Sequence, residues 1–373
     1  MNYVVALDSF KGSLTSLEAG SAVKDAILDI DCDSSVVVLP LADGGEGTVD
    51  AMHKGLGGDL VKTTVTGPLG EGVTAEYCIL PDGKTAVIEM ASAAGLTLVP
   101  ENNRNPLNTT TYGVGQVIKD AISKGCNRFI VGIGGSATND GGVGMLSALG
   151  FEFTDDNGNP IPYGARGLES LKHISCANAL PQLEKCTFLI ACDVTNPLCG
   201  ELGCSRVFAP QKGADDEAVD IMDKWLQSYA DITKALLPRT DPQYPGTGAA
   251  GGLGFAFMSY LGGELRSGVK IILDEIGFEK HLQNADLVIT GEGRLDYQSA
   301  MGKAPVGVAQ LAKKYGKKVV AFAGSVSDDA GELKKLGIDE LYPITPEDMP
   351  LSEAMITDVA YKNLYNTVLK VLK

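Results

Sequence analysis

The chain has 373 residues, of which 44% are hydrophobic and 21% are charged, and this composition is that of a globular protein rather than a disordered one. A chain of this length exceeds one ordinary hydrophobic core, so we expect two domains or one domain with a large insertion. The formal charge of −16, from 31 basic and 47 acidic residues, argues against a surface for nucleic acid or for anionic membranes.

Composition also argues against export and against a zinc-type site. The sequence enters the apolar residues 3–7 with no signal-peptide pattern before them, and no apolar run approaches the roughly 20 residues of a spanning helix. The eight cysteines form no Cys-x-x-Cys pair, and the three histidines lie far apart. We therefore expect a cytoplasmic protein with free thiols. A disulfide between Cys199 and Cys204, which flank a glycine-rich loop, is the less favoured alternative.

The first predicted unit is a strand over residues 3–7, a polar loop over residues 8–13 and a helix. Thr15 and Glu18 have the spacing of a capping box, which places the helix start at Thr15. The loop holds four candidate site residues, namely Asp8, Ser9, Lys11 and Ser13. Because a helix N-terminus favours anions, this loop fits a phosphate site, but a capped helix beside a solvated lysine fits equally well.

A second strand, over residues 36–39, leads into the glycine-rich loop 42–47 and a helix that ends near Gly55. Asp43 and Glu46 stand on a backbone that its glycines allow to approach a ligand closely. Carboxylates in such a loop can hold Mg²⁺, usually through water, or accept the proton of a substrate hydroxyl. A plain glycine-rich turn is the alternative.

The middle of the chain begins with strands and continues with strand–helix units. Strands rich in Thr and Val are predicted at residues 60–66, 73–80 and 85–89, and a strand at 128–133 leads into the glycine-rich loop 134–142. This loop has the composition of a phosphate nest, without the ending of a Walker A loop or the glycine pattern of a dinucleotide site. Its candidate phosphate-binding residues are Gly134, Gly135, Ser136, Thr138, Asn139 and Asp140.

A further polar loop follows the strand predicted at residues 188–191. Asp193 can act as a base, and Asn196 can contact a metal or a substrate. An Asx turn before Pro197 explains the same residues without a catalytic role.

The strand–helix alternation returns near the C-terminus, where a strand over residues 287–289 precedes a loop over residues 290–296. The candidate site residues here are Glu292, Arg294, Asp296 and Lys303. Arg294 can bind a carboxylate or phosphate through two parallel hydrogen bonds. Lys303 stands at a helix start, where a cation is unfavourable unless it binds an anionic ligand.

These elements predict an α/β protein. Residues 1–64 and 285–373 each supply half of a doubly wound, Rossmann-like domain with a parallel sheet, since helices of this length between strands favour right-handed βαβ units. Residues 65–284 then form an inserted second α/β domain. The C-terminal half includes strands at residues 319–323 and 340–343, with a loop over residues 324–327 and a helix ending before Gly337 between them.

Taken in this order, the polar and glycine-rich segments resemble the bacterial glycerate kinase family, whose members begin with a strand followed by Asp-Ser-Phe-Lys-Gly-Ser. The matching segments span the chain and comprise residues 8–13, 41–47, 134–142, 193–198, 248–254, 290–296 and 302–305. The resemblance implies two α/β domains with the active site in the cleft between them, dependence on ATP and Mg²⁺, and D-glycerate as the acceptor. It implies 2-phosphoglycerate as the product in preference to the 3-phospho isomer.

Under this hypothesis the residues divide into a phosphate and metal set and an acceptor set. Lys11 and the loop 134–142 bind phosphate oxygens, while Asp43 or Asp8, with Glu46 nearby in sequence, holds Mg²⁺ or its waters.

The acceptor set contains the remaining candidates. Asp193, ahead of Asp296, accepts the hydroxyl proton, and Arg294 with Lys303 binds the glycerate carboxylate. The four residues expected to be catalytic are Asp8, Lys11, Asp193 and Asp296.

Other functions stay open from the residues alone. A related small hydroxy-acid could be the acceptor, or the chain could be a non-catalytic sensor that binds hydroxy-acids. A dehydrogenase should carry a dinucleotide fingerprint, which the sequence lacks, and a phosphatase would act without ADP. Whether the chain forms a homo-oligomer is also left open.

Overall fold

A computed structural model of the protein describes residues 1–296, 299 and 303–373. Gln298 and Gly302, which adjoin predicted site residues, lie outside this part. The described chain folds as two compact units. The first holds residues 1–43, 50–56 and 267–373, and the second holds residues 44–49 and 57–266. The predicted boundaries at residues 64 and 285, and the predicted cleft, stay predictions.

Strands and helices alternate along most of the described chain. The strands are β1 Asn2–Leu7, β2 Ser35–Val38, β3 Asp59–Thr66, β4 Gly72–Ile79, β5 Thr85–Glu89, β6 Arg128–Gly132, β7 Glu152–Thr154, β8 His173–Ser175, β9 Thr187–Ala191, β10 Glu264–Arg266, β11 Leu287–Leu295, β12 Lys318–Val326 and β13 Glu340–Pro343. The α-helices are α1 Ser16–Ile30, α2 Thr48–Leu56, α3 Ala91–Ala94, α4 Tyr112–Ser123, α5 Val143–Ala148, α6 Cys204–Phe208, α7 Asp216–Leu236, α8 Ala249–Leu261, α9 Gly268–Glu275, α10 Phe278–Leu282, α11 Ala304–Lys314, α12 Leu351–Ala354 and α13 Thr357–Leu372. Short 3-10 helices occupy Leu96–Leu98, Glu101–Asn103, Ala165–Glu169, Pro181–Lys185, Pro210–Lys212 and Asp328–Leu336.

The first unit is built on a five-stranded sheet in the order β13-β12-β11-β1-β2, in which every pair is parallel. Read from the β2 edge, with the five strands renumbered 1 to 5 in chain order, the order is 2-1-3-4-5. This is one of the two common doubly wound arrangements. The sheet has helices on both faces. Val5 and Leu7 face α1 and α13 in one apolar cluster, whereas α11 packs on β1, β11 and β12 and covers the face toward which Val4 and Ala6 point by alternation. The predicted doubly wound α/β fold is confirmed.

Helix α1 begins with the predicted capping box. The Thr15 hydroxyl accepts the N–H of Glu18 at 3.3 Å, and the Glu18 carboxylate accepts the N–H of Thr15 at 2.8 Å. The helix therefore starts at a fixed residue directly after the polar loop 8–13.

Thr15→Ala is expected to lower the free energy of unfolding by about 1 kcal/mol, because it leaves backbone N–H groups at the start of α1 without a side-chain acceptor. Urea denaturation followed by circular dichroism measures the change. Ser21→Ala, at an exposed position of the same helix, is the control and should be neutral or slightly stabilising. An unchanged denaturation midpoint for Thr15→Ala would contradict the capping role.

Two predicted loops are strands in the structure. Residues 290–296 were expected to be a loop, but β11 continues to Leu295 and pairs with β12, which itself continues through the predicted loop 324–327 as far as Val326. The predicted helix after that loop is the 3-10 helix Asp328–Leu336. The glycines that indicated turns instead allow these two strands to lie close together.

Glycine lets β11 and β12 approach each other closely. A Cβ atom on Gly291 would collide with the carbonyl oxygen of Phe322, and a Cβ atom on Gly324 would meet the carbonyl oxygen of Gly293. Glycine inside a strand often marks such a close approach of two backbones.

The second unit contains a six-stranded mixed sheet in the order β10-β9-β6-β5-β4-β3. Strands β5, β6, β9 and β10 are parallel, and β3 and β4 form an antiparallel hairpin that extends the sheet from β5. Its apolar core combines strand residues such as Phe129 and Ile190 with helix residues such as Val117 and Leu253. The carboxyl ends of the parallel strands lie on one edge, where the loops 134–142 and 193–198 begin.

Two further findings concern the state of the cysteines and the length and polarity of the helices. All eight cysteines are free thiols, so no disulfide joins Cys199 and Cys204. Within the described residues, every helix is too short or too polar to cross a membrane.

Candidate active site

A cavity of about 440 Å³ opens at the carboxyl edge of the sheet in the first unit. It is lined by Asp8, which follows β1, and by Glu292, which lies on β11. The strand order reverses direction between these two strands, and ligands of doubly wound sheets bind at such a switch point. The position of the cavity therefore favours a ligand site.

Eight of the predicted site residues meet in this cavity. They are Asp8, Ser9, Lys11, Ser13, Asp43, Glu292, Arg294 and Lys303. Three of these side chains are acidic and three are basic, so the cavity is nearly neutral although the chain carries a formal charge of −16. An anionic ligand can therefore enter against the repulsion of the whole protein.

Asp8 is the most deeply buried acid in the cavity, with 5% of its surface exposed. Its carboxylate accepts the N–H of Ser9 at 2.7 Å. Burial, with the neighbouring charges of Asp43 and Glu292 added, raises the pKa of Asp8 to about 7. Asp8 therefore titrates near neutral pH unless a cation compensates its charge.

Lys11 supplies an exposed positive charge next to the acids. Its Nζ atom lies 3.5 Å from Oδ2 of Asp43, and 71% of its side chain is exposed. The charge of Asp43 raises the pKa of Lys11, which is thus firmly protonated. A long, exposed ammonium group of this kind can turn toward a phosphate as a point charge.

Glu292 stands at the centre of a second polar group. It is buried, it accepts a hydrogen bond from the Ser299 hydroxyl, and its Oε2 atom lies 3.9 Å from Nζ of Lys303. Burial raises the pKa of Glu292. Glu292 thus holds Lys303 at the cavity wall.

Arg294 is exposed and pairs with Asp296. The Nε atom of Arg294 lies 3.2 Å from Oδ2 of Asp296, and the Asp296 N–H donates to the Ser299 hydroxyl at 3.2 Å. To bind a substrate carboxylate through the guanidinium edge that contains Nε, Arg294 must share or leave this contact.

The loop 134–142 in the second unit has its polar side chains turned inward. Asp140 is buried and accepts hydrogen bonds from the N–H and hydroxyl of Thr111 and from the N–H groups of Gly142 and Gly144. Burial raises its pKa. The Asn139 amide donates to Ser205 at 2.9 Å.

What this loop exposes is backbone. Gly134 and Gly135 are exposed, and Ser136 is 8% exposed. Thr138 Oγ1 and Asn139 Oδ1 are buried and have no hydrogen-bond partner within the described part of the chain. The predicted phosphate contacts of this loop stay a prediction, and the exposed peptide groups at its start are the groups that a phosphate could reach.

Asp193 and Asn196 follow β9 at the same sheet edge. Asp193 is exposed. The side-chain amide of Asn196 donates to the carbonyl of Leu202 at 2.9 Å, and the main-chain carbonyl of Asn196 accepts the N–H of Gly248. Asn196 thus shapes its loop, and Asp193 is the more accessible of the two.

Comparison with known proteins shows the family of the chain. The model of the glycerate kinase family matches residues 3–373. The glycerate 2-kinase of Escherichia coli K12 is 46% identical over 368 residues, which cover 99% of this chain and 95% of that protein. The glycerate kinase of Bacillus subtilis 168 is 45% identical over 354 residues, with 95% and 93% covered. A crystal structure assigned as glycerate kinase 2 of Salmonella typhimurium LT2 superimposes with a TM-score of 0.91 at 43% identity and covers 100% of this chain and 97% of that one.

The chain belongs to the glycerate kinase family. The resemblance drawn from its motifs is confirmed, and the chain is an enzyme, a kinase whose acceptor is an alcohol group. Kinases of this kind use a nucleotide as the phosphoryl donor.

Sequence reasoning missed three residues that hold polar loops or candidate site residues of this kinase in place. Ser299 binds Glu292, as described above. Glu89, at the end of β5, is half-buried, and desolvation raises its pKa; it accepts the N–H of Val49 at 2.8 Å, which fixes the start of α2 after the loop 42–47. Its place at the carboxyl end of a predicted strand was a usable signal.

Lys212 is the third missed residue. It is 2% exposed, and its Nζ atom donates to the Ser136 hydroxyl at 2.8 Å and to the Thr138 carbonyl at 2.6 Å. Burial lowers the pKa of Lys212 to about 8. Lysine is rarely buried, so a solvated side chain is the expectation for any lysine. The sequence around Lys212 contains no signal that this lysine is an exception.

The predicted metal residues Asp43 and Glu46 belong to the first and second unit, respectively. Asp43 lines the cavity, and Glu46 is exposed. Among residues 1–296, 299 and 303–373, no group of three His, Cys, Asp or Glu side chains is placed to hold a metal ion alone.

Proposed function

We propose that this enzyme transfers the γ-phosphoryl group of ATP to the 2-hydroxyl of D-glycerate with the help of Mg²⁺. The observation that carries the proposal is the cavity in which the buried acids Asp8 and Glu292 lie with Lys11, Arg294 and Lys303. Phosphoryl transfer requires positioning and charge neutralisation more than covalent participation by the protein. Relatives named glycerate kinase and glycerate 2-kinase support the acceptor and the isomer.

Asp8 and Asp43 fit a Mg²⁺ ion. Magnesium in kinases is usually bound by one or two carboxylates together with water and substrate phosphates, so a pair of acids is enough. The raised pKa of Asp8, caused by burial and then by Asp43, indicates negative charge that a cation would compensate. Bound there, Mg²⁺ would neutralise charge on the phosphate oxygens during transfer.

The cations of the cavity have separate tasks. Lys11 binds the phosphates, since it is exposed and protonated. Arg294, with Lys303 beside it, binds the glycerate carboxylate.

In the reaction the hydroxyl oxygen of glycerate forms a bond to the γ-phosphorus while the bond from that phosphorus to the β–γ bridging oxygen breaks, and ADP leaves. The hydroxyl proton passes to a carboxylate, for which we favour Asp193 over Asp296. Only 17% of the Asp296 side chain is exposed, whereas Asp193 is an exposed residue and is the more accessible to a substrate.

Incubation with D-glycerate, ATP and Mg²⁺, followed by ³¹P NMR, is expected to show ADP and 2-phosphoglycerate. A 3-phosphoglycerate signal would overturn the isomer and keep the kinase. Absence of ATP consumption, in a preparation with a cooperative unfolding transition, would contradict D-glycerate as the acceptor and direct the test to related small hydroxy-acids.

A further inference from the structure

The lining of the cavity in the first unit combines two chemically different sets of residues. The acids and cations of the candidate site form one set, here called the polar end. The other set, here called the apolar end, comes from the single chain segment 344–355 and comprises Ile344, Met349, Leu351, Ala354 and Met355. The proposed roles of the polar end leave these apolar side chains without a ligand.

The apolar end is partly open to solvent and is tied to the loop that carries Lys11. Leu351 is 73% exposed and Met355 is 40% exposed. A Cβ atom at Gly12 would lie 2.8 Å from Cε of Met355, so this methionine sits against the loop. The Thr357 hydroxyl donates to the Ser13 carbonyl at 3.0 Å, which fixes the start of α13 to the same loop.

Glycerate does not need such a surface. It is a three-carbon acid with a carboxylate and two hydroxyl groups, and it has almost no apolar area to bury. The cavity volume of about 440 Å³ lies in the range of roughly 300–1,000 Å³ that accommodates drug-sized ligands. Exposed apolar side chains that border a polar pocket usually mark a ligand or partner surface.

We propose that the apolar end binds the purine base of the phosphoryl donor. The inference rests on the proposed function, which requires a ligand with a polyanionic end for Lys11 and a flat, mostly apolar end. Met349 and Met355 suit a flat ring because methionine is flexible and polarizable and makes favourable contacts with aromatic systems. Thr345 and Ser325 also line the cavity and offer hydroxyl groups to the ribose or to the edge of the base.

Met355→Asp tests the base site, because a carboxylate there removes apolar contact and repels the phosphates. The KM for ATP is expected to rise at least tenfold, while the KM for D-glycerate changes less than twofold. Isothermal titration with adenosine, which has no phosphates, and with a non-hydrolysable ATP analogue in Mg²⁺ should show at least tenfold weaker binding of both ligands to the variant.

Ile356→Asp is the matched control. Ile356 is the exposed neighbour of Met355, it is absent from the cavity lining, and it is the N-cap of α13, where aspartate is well tolerated. Its KM for ATP should stay within twofold of wild type. A Met355→Asp variant that binds adenosine as wild type does, or whose KM rises only for glycerate, would overturn the base site. Because the titrations need no acceptor, a wild type that binds adenosine without phosphorylating glycerate would refute the proposed reaction and keep the site.

Discussion

Asp8→Asn is expected to reduce kcat by roughly 10²–10³-fold and, at pH 8, to make the protein more stable than the wild type. The loss of activity follows from the proposed role of Asp8 beside Mg²⁺, since an amide carries no charge to hold the cation. The gain in stability follows from burial. Asn can still accept the N–H of Ser9, the hydrogen bond that Asp8 makes at 2.7 Å.

The sign of the stability change is set by the pKa of Asp8. An aspartate in the unfolded chain has a pKa near 3.9, whereas burial and the charge of Asp43 raise the pKa of folded Asp8 to about 7. Between these pH values the folded state binds more protons than the unfolded state, so the stability of the wild type falls as pH rises through this window. At about 1.4 kcal/mol per pH unit, the whole window corresponds to at most about 4 kcal/mol. The variant lacks this loss.

Urea denaturation in EDTA at pH 5 and pH 8 measures the effect without a compensating cation. The difference in unfolding free energy between variant and wild type should be larger at pH 8 than at pH 5. Asp33→Asn, at an exposed position of the same unit, is the control and should change neither kcat nor the pH dependence. Equal destabilisation of Asp8→Asn at both pH values would contradict the raised pKa, and retained turnover would remove Asp8 from the metal site.

The residues of the cavity could be predicted because its geometry follows from local sequence. Asp8 comes directly after a short apolar strand, and Asp43 follows shortly after another. In a parallel sheet the carboxyl ends of such strands share one edge. The alternation of strands and helices predicts that sheet, and the polar residues at the strand ends are then neighbours although Asp8 and Glu292 are 284 positions apart.

The parts that sequence did not predict depend on contacts between distant backbones. Gly291 and Gly324 indicated loops, yet they lie within β11 and β12 because those strands approach closely. Glycine gives the same local signal in a turn and at a close approach. Likewise, the sequence could not show that Asn139 bonds to Ser205 and Asp140 to Thr111, because these partners are distant along the chain.

Lys212→Met is expected to reduce kcat/KM for ATP about a hundredfold, since a displacement of about 1 Å in a binding loop can cost that much. Lys212 contacts the loop 134–142 from inside the second unit, through the Ser136 hydroxyl and the Thr138 carbonyl. Methionine fills a similar volume without a donor, so both acceptors lose a charge-assisted bond. The free energy of unfolding should fall by only roughly 1–3 kcal/mol, because removing a buried charge also removes its desolvation cost.

Hydrogen exchange distinguishes a loosened loop from a generally weakened protein. In the Lys212→Met variant, amides of residues 134–139 should exchange faster than in the wild type, while those of the core strand β6 keep their protection. Lys234→Met, at an exposed position of α7, should leave exchange and kcat/KM unchanged. A variant with wild-type activity and faster exchange at the loop would separate the order of this loop from ATP use, and the phosphate role predicted for Gly134 and Gly135 would then lose its support. Lost activity with unchanged loop exchange would instead assign the effect of Lys212 to its charge, which acts on the bound phosphates through the low-dielectric interior.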